Sequence, residues 1–113
     1  MNVGQTLIIL LGFFVLAIGS CSSQVSVIHF NSEWNTENSF DISTLKDCKI
    51  QNITICHSPE LQEQHNIVSV PTIILFENGE EVKRFQANLM MELKCKLKDI
   101  QTAIDKIYLA KFE

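Results

Sequence analysis

The side chains in this sequence that could do nucleophilic, redox or metal chemistry are four cysteines and three histidines. They stand at Cys21, Cys48, Cys56 and Cys95, and at His29, His57 and His65. Only Cys56 and His57 are neighbours. The three histidines lack the close paired spacing of zinc ligands, so neither a metal nor another cofactor is expected. Cys48 and Cys56 flank one apolar run. If that run is a strand rising about 3.3 Å per residue, they lie roughly 25 Å apart, far beyond the roughly 7 Å between Cα atoms that a disulfide tolerates. Cys95 falls on the apolar phase of its segment and reads as packing. Cys56 closes a strand at the end where α/β sheets favour chemistry, which makes it the candidate catalytic residue. Its plainer role is that of a small buried hydrophobe.

A second stretch has the layout of a site without its nucleophile. Phe30-Asn-Ser-Glu-Trp34 is a strand end followed by a loop carrying the single tryptophan, and Asn35-Thr-Glu-Asn38 opens the next polar segment. An amide neither attacks nor exchanges disulfides. Asn35 is well suited to capping a following helix.

Residues 1–20 carry no charged side chain, and Leu7–Ile18 is nearly all apolar. That run is shorter than the about 20 residues of a spanning helix and has the length of a secretory signal, although no Lys or Arg precedes it. Ile18-Gly-Ser-Cys21 resembles a bacterial lipobox, with Cys21 as the candidate lipidation site. We therefore expect a signal sequence, or a lipoprotein or membrane anchor, over 1–23 and one domain over 24–113. The expected location is the bacterial periplasm or cell envelope as a lipoprotein, with secretion as the alternative. Every charged residue falls in the second part, and the net charge is −4. Such a surface, without a basic aromatic-laced run, excludes nucleic acid as a partner class.

The elements that must position these residues follow from patterning. Val25–Phe30 and Ile50–Cys56 read as strands, being rich in β-branched residues. Residues 35–45 carry apolar positions spaced for a short, imperfect helix. Ser58-Pro59-Glu60 is a helix start with proline at the first helical position, and that helix ends near His65-Asn66. Thr72–Phe76 is a continuous apolar run, as in a strand covered on both faces. Asn78-Gly79 is a strong hairpin signal, with Glu80–Gln86 as the returning strand. Over 88–97 apolar residues alternate, which favours an extended edge segment leading into the helix, although Leu89, Leu93, Leu97, Ile100, Ile104 and Ile107 also fit a helical stripe. About Lys98–Ala110 is helical, with Ile100, Ala103, Ile104, Ile107 and Tyr108 on one face. Asn52-Ile-Thr54 is a glycosylation sequon inside a predicted strand.

In that order the elements, together with Val68-Ser-Val-Pro-Thr-Ile-Ile-Leu-Phe-Glu-Asn-Gly79, resemble a thioredoxin-like domain. Pro59 stands twelve positions before Pro71, in the relation of the family's Asn-Pro to its conserved proline. Phe30–Trp34 is similar to the family's Phe-Trp-Ala-Glu-Trp, which immediately precedes Cys-x-x-Cys. The resemblance implies an α/β, minimal thioredoxin-like fold for the 24–113 domain, with a central mixed sheet of about four strands flanked by helices. It also implies that Asn35 and Asn38 occupy the two cysteine positions, that His29 replaces a buried acid, and that Pro71 is cis and faces the site. The family's first strand and helix are missing, and the helix after the motif is truncated.

Three functions remain open. The first is an exported domain, redox-inactive at the usual site, that binds a protein or extended peptide in a groove of Trp34, Asn35, Asn38, Val70, Pro71 and Thr72. A membrane would be reached only through the N-terminal anchor. The second is a thiol-disulfide oxidoreductase that uses Cys56. The third is a structural accessory subunit, in which Trp34 and Pro71 merely hold the fold.

Overall fold

The structure is a computed structural model that describes residues 24–110. The expected export segment and Cys21 lie outside these residues. Among the described residues no helix is long and apolar enough to cross a membrane.

Strand β1 runs Val25–Asn31, β2 Lys49–Thr54, β3 Thr72–Glu77 and β4 Glu80–Gln86; helix α1 is Pro59–Gln64 and α2 is Leu97–Leu109. The sheet order is β2-β1-β3-β4. β1 and β2 are parallel, while β1–β3 and β3–β4 are antiparallel. The fold expected from the resemblance is therefore present: a four-stranded mixed sheet with helices.

Period-two alternation divides the central strands between two faces. Val25 and Val27 of β1, with Ile73 and Leu75 of β3, pack against Ile100 and Ile104 of α2. Ile42 and Leu45, from the segment before β2, complete that layer. On the other face Phe30, Ile74 and Phe76 meet Ile53, Ile55, Ile67 and Val70. Burying one such side chain contributes about 1.5–3 kcal/mol, so Ile100 and Ile104 anchor α2. His65 lies between the rings of Phe30 and Phe76, at 5.5 Å from each. It is part of this packing.

The hairpin is as predicted. Asn78 and Gly79 have φ of 52° and 87°, the two left-handed residues of a type I′ turn. Asn78 also ties the turn to the start of β1, its Oδ1 accepting the Gln24 N–H at 3.0 Å.

Two segments depart from the sequence-based expectations. Residues 35–45 form no α-helix, and Asn35 caps none. A 3-10 turn spans Glu33–Asn38, and the chain then runs irregularly to β2. Short polar side chains compete for the backbone there: the Ser43 N–H donates to Asp41 Oδ1 at 2.9 Å. Residues 88–97 are not an edge strand, for β4 ends at Gln86. Asn88 Oδ1 accepts the N–H groups of Met90 and Glu92 at 2.8 and 3.2 Å, folding the chain into a turn. Met91 there has φ of 60°. Leu93, Cys95 and Leu97 do pack against the α2 layer. Their alternation reflects burial without a neighbouring strand.

Candidate functional site

β1 and β2 run side by side and stop together, with Asn31 paired to Thr54. The residues just beyond this pair emerge at the carboxyl end of the sheet. From β1 come Ser32, Glu33 and Trp34; from β2 come Ile55, Cys56 and His57. A groove of about 290 Å³ opens there. Its lining includes Ser32 and Trp34 from the β1 end, Ile55 and Cys56 from the β2 end, Ile67, Val68 and Val70 from the chain before β3, and Met91 from the 88–92 turn. Trp34 is 69% exposed and Val68 80%. Ligand pockets span about 300–1,000 Å³ and enclose most of their ligand. This one is small and open.

Beneath the groove lies a network of asparagines. Asn35 is buried, and its Nδ2 is within hydrogen-bond reach of Asn31 Oδ1 (3.2 Å), the Val70 carbonyl (3.2 Å) and the Met91 carbonyl (3.3 Å). Its Oδ1 accepts from Asn38 Nδ2 at 2.9 Å. Asn31 Nδ2 donates in turn to the Asn35 carbonyl and to Ser39 Oγ. The two asparagines thus hold each other across the 3-10 turn, and Asn35 fastens three chain segments. Buried polar groups need such partners, and no buried side-chain N or O atom among the described residues lacks one.

His29, 5% exposed, sits on the α2 face of β1. Its Nε2 accepts the Phe40 N–H at 3.1 Å and its Nδ1 lies 3.1 Å from Asn52 Oδ1. A ring nitrogen that accepts carries no proton, so the neutral tautomer protonated at Nδ1 fits both bonds. Burial pushes the His29 pKa below its ordinary value, against smaller opposing effects of the Asn52 hydrogen bond and the Asp41 charge. A neutral, doubly bonded imidazole is a positioning group for the 39–41 segment and a poor acid.

The residues expected to form the groove are therefore divided by depth. Trp34 and Val70 line it. Asn35, Pro71 and Thr72 are buried beneath, and Asn38 is half-buried beside Asn35. The Val70–Pro71 peptide bond is cis. The Thr72 hydroxyl donates to the Ser69 carbonyl at 2.7 Å. Patterning did not reveal the groove roles of Ile55, Ile67, Val68 and Met91. An apolar residue after a short helix or in a turn has no sequence sign that separates wall from core.

The cysteines also separate. Cys48 and Cys95 are half-buried, and burial raises both thiol pKa values, with help from Asp47 and Asp99 respectively. Cys56 is exposed. Next to it His57 Nε2 pairs with Glu33 Oε1 at 2.6 Å. Glu33 was not among the expected site residues, since only the parallel pairing of β1 with β2 brings it to Cys56.

No protein-family model matches the chain, and no curated protein does. Solved structures do match. A mutant thioredoxin from Halobacterium salinarum NRC-1 aligns at TM-score 0.60 and 17% identity, covering 74% of this chain and 74% of that one. The thioredoxin-2 described as a component of malaria parasite protein secretion machinery aligns at 0.59 and 20%, covering 75% and 84%. Thioredoxin 1 of Thermosipho africanus TCF52B aligns at 0.59 and 18%, covering 78% and 99%. The chain has a thioredoxin fold. At these identities the likeness is one of architecture.

Proposed function

We propose that this is an exported thioredoxin-fold domain, without dithiol chemistry at its Asn35–Asn38 turn, that binds an extended polypeptide. The observation that carries the reading is the open apolar groove rimmed by exposed Trp34 and Val68. Tryptophan at the centre of a contact supplies large area with little entropy to lose. The groove borders Val70, whose carbonyl accepts from Asn35 and has, as any carbonyl does, a second lone pair with which a ligand N–H would pair. Backbone pairing of that kind binds chains without demanding one sequence. Export is supported by the charge-free, apolar Met1–Ser20 stretch.

Trp34 is the single tryptophan of the chain, so its emission reports on the groove. Titration with a permanently unfolded, carboxymethylated polypeptide should shift that emission saturably. Trp34→Ala should weaken binding, followed by calorimetry, by about 2 kcal/mol, roughly 30-fold, and leave the melting temperature nearly unchanged. No saturable shift, or equal binding by Trp34→Ala, would refute the groove.

A second reading is favoured by one observation, the exposed thiol of Cys56 beside the His57–Glu33 pair. A lone thiol can form a mixed disulfide, but it has no neighbour on its own turn to resolve it. Insulin reduction with dithiothreitol distinguishes the readings. The groove reading expects no turnover above background, whereas turnover abolished by Cys56→Ser would establish the thiol enzyme.

A further inference from the structure

Glu33, Cys56 and His57 form a cluster whose ligand atoms (a carboxylate oxygen, Sγ and an imidazole nitrogen) all lie within 4.8 Å of one another. Its origin is the register of the sheet. Asn31 pairs with Thr54 at the end of parallel β1 and β2, and Glu33 and Cys56 each follow by two positions. His57 belongs to the same 3-10 turn as Cys56. All three side chains are exposed, and the His57–Glu33 pair alone would add little, as solvated pairs do. A thiol as third donor changes the chemistry of the cluster.

We propose that Glu33, Cys56 and His57 bind a zinc ion at the carboxyl end of the sheet, beside the groove. A sulfur and nitrogen pair with one carboxylate selects a borderline-soft metal over calcium or magnesium. Zinc bonds of about 2.0–2.3 Å to O, N and S place tetrahedral ligand atoms roughly 3.3–3.7 Å apart. The His57–Glu33 contact therefore opens slightly as the ion enters between the two groups, and the Cys56 sulfur draws in. Exposed side chains can make both movements. On binding, the Cys56 S–H bond breaks, its proton passes to solvent and the thiolate lone pair forms the Zn–S bond. His57 gives the lone pair of a neutral ring, and Glu33 its carboxylate. The thiolate and the carboxylate balance the two positive charges, so the site is neutral. Three protein ligands leave a fourth position open to solvent, the donor count of a reactive zinc site and not of a closed structural one.

The proposal is independent of polypeptide binding, which is measured with chelator present. The test is titration of the reduced, metal-free full chain with Co(II), followed by competition with Zn(II). One equivalent should produce a thiolate-to-cobalt charge-transfer band with the visible bands of a tetrahedral ion, and should quench Trp34, which adjoins Glu33. Excess Zn(II) should remove both signals and slow iodoacetamide alkylation of Cys56 by more than about 10-fold. Cys56→Ser should abolish the charge-transfer band. His57→Gln and Glu33→Gln should each weaken binding by more than about 10-fold, the lower range seen on losing even a group that only supports a ligand. The variant Cys21→Ser/Cys48→Ser/Cys95→Ser keeps Cys56 as the only thiol and should retain the band. No band at one equivalent, a band that survives Cys56→Ser, or unchanged affinity in either of the other variants would overturn the assignment. Because Glu33, Cys56 and His57 are exposed, far-ultraviolet circular dichroism of their single variants should match that of the parent chain.

Discussion

At the scale of single residues, two asparagines hold the turn after β1. Asn38 Nδ2 and Asn35 Oδ1 meet at 2.9 Å, and Asn35 Nδ2 turns inward to the Val70 and Met91 carbonyls. Truncating Asn35 strands buried acceptors, and each unsatisfied group costs about 1–3 kcal/mol. Asn35→Ala should therefore destabilise the domain by about that amount and lower its melting temperature by about 4–8 °C per kcal/mol, read by thermal denaturation. His29 makes a second prediction, on pH. Its pKa is held below the ordinary value of 6.5, chiefly by burial. Below about pH 6.5 the unfolded chain takes up a proton that the folded chain refuses, so stability falls as pH drops through that value. The loss stops once the folded ring is protonated as well. Urea midpoints at about pH 7 and about pH 5.5 should differ more in the parent chain than in His29→Gln, since the other titrating groups are common to both. Equal differences would show that His29 carries no such linkage.

At the scale of elements, local side chains overrode the patterns at two places, and in both a short polar residue won. The alternation from Asn88 to Leu97 fits a strand, yet Asn88 Oδ1 gathers two backbone N–H groups and turns the chain. Leu89, on the supposed inner phase, is 99% exposed. This turn delivers Met91 to the groove and its carbonyl to Asn35. Asn88→Ala should accordingly cost about 1 kcal/mol of stability, the usual contribution of one or two such hydrogen bonds. It should also raise amide exchange at Met90 and Glu92 and leave β3 and β4 protected. Uniform loss of protection would place Asn88 in the global core instead. The hairpin, the proline-started α1 and the apolar stripe of α2 were legible in the sequence, because each is set by interactions within a few residues. The 3-10 turn at Glu33–Asn38 was not, since its conformation depends on carbonyls thirty-five and more positions away.

At the scale of the whole molecule, the sheet is reduced to what two packed faces require. β1 and β3, central and covered, carry nearly all of the buried side chains of the sheet, while β4 is largely exposed. In place of a helix before β2, Ile42 and Leu45 plug the core, and α2 holds their segment through Gln101 and Tyr108, which bond the backbone at Lys46 and Asp47. The sequence by itself determined the strand order along the chain, the Asn-Gly turn, the two-faced core strands and the absence of cysteines at positions 35 and 38. These rest on residue type and short-range period, which act before the chain is compact. Only the tertiary structure decided that Trp34 and Val70 share a groove while Pro71 and Thr72 lie beneath it, that Asn35 reaches Met91, and that Glu33 stands beside Cys56 and His57. Those juxtapositions are made by the parallel register of β1 on β2 and by the turn at Asn88. Neither a spacing nor a propensity encodes which distant side chain a paired strand will set beside its neighbour.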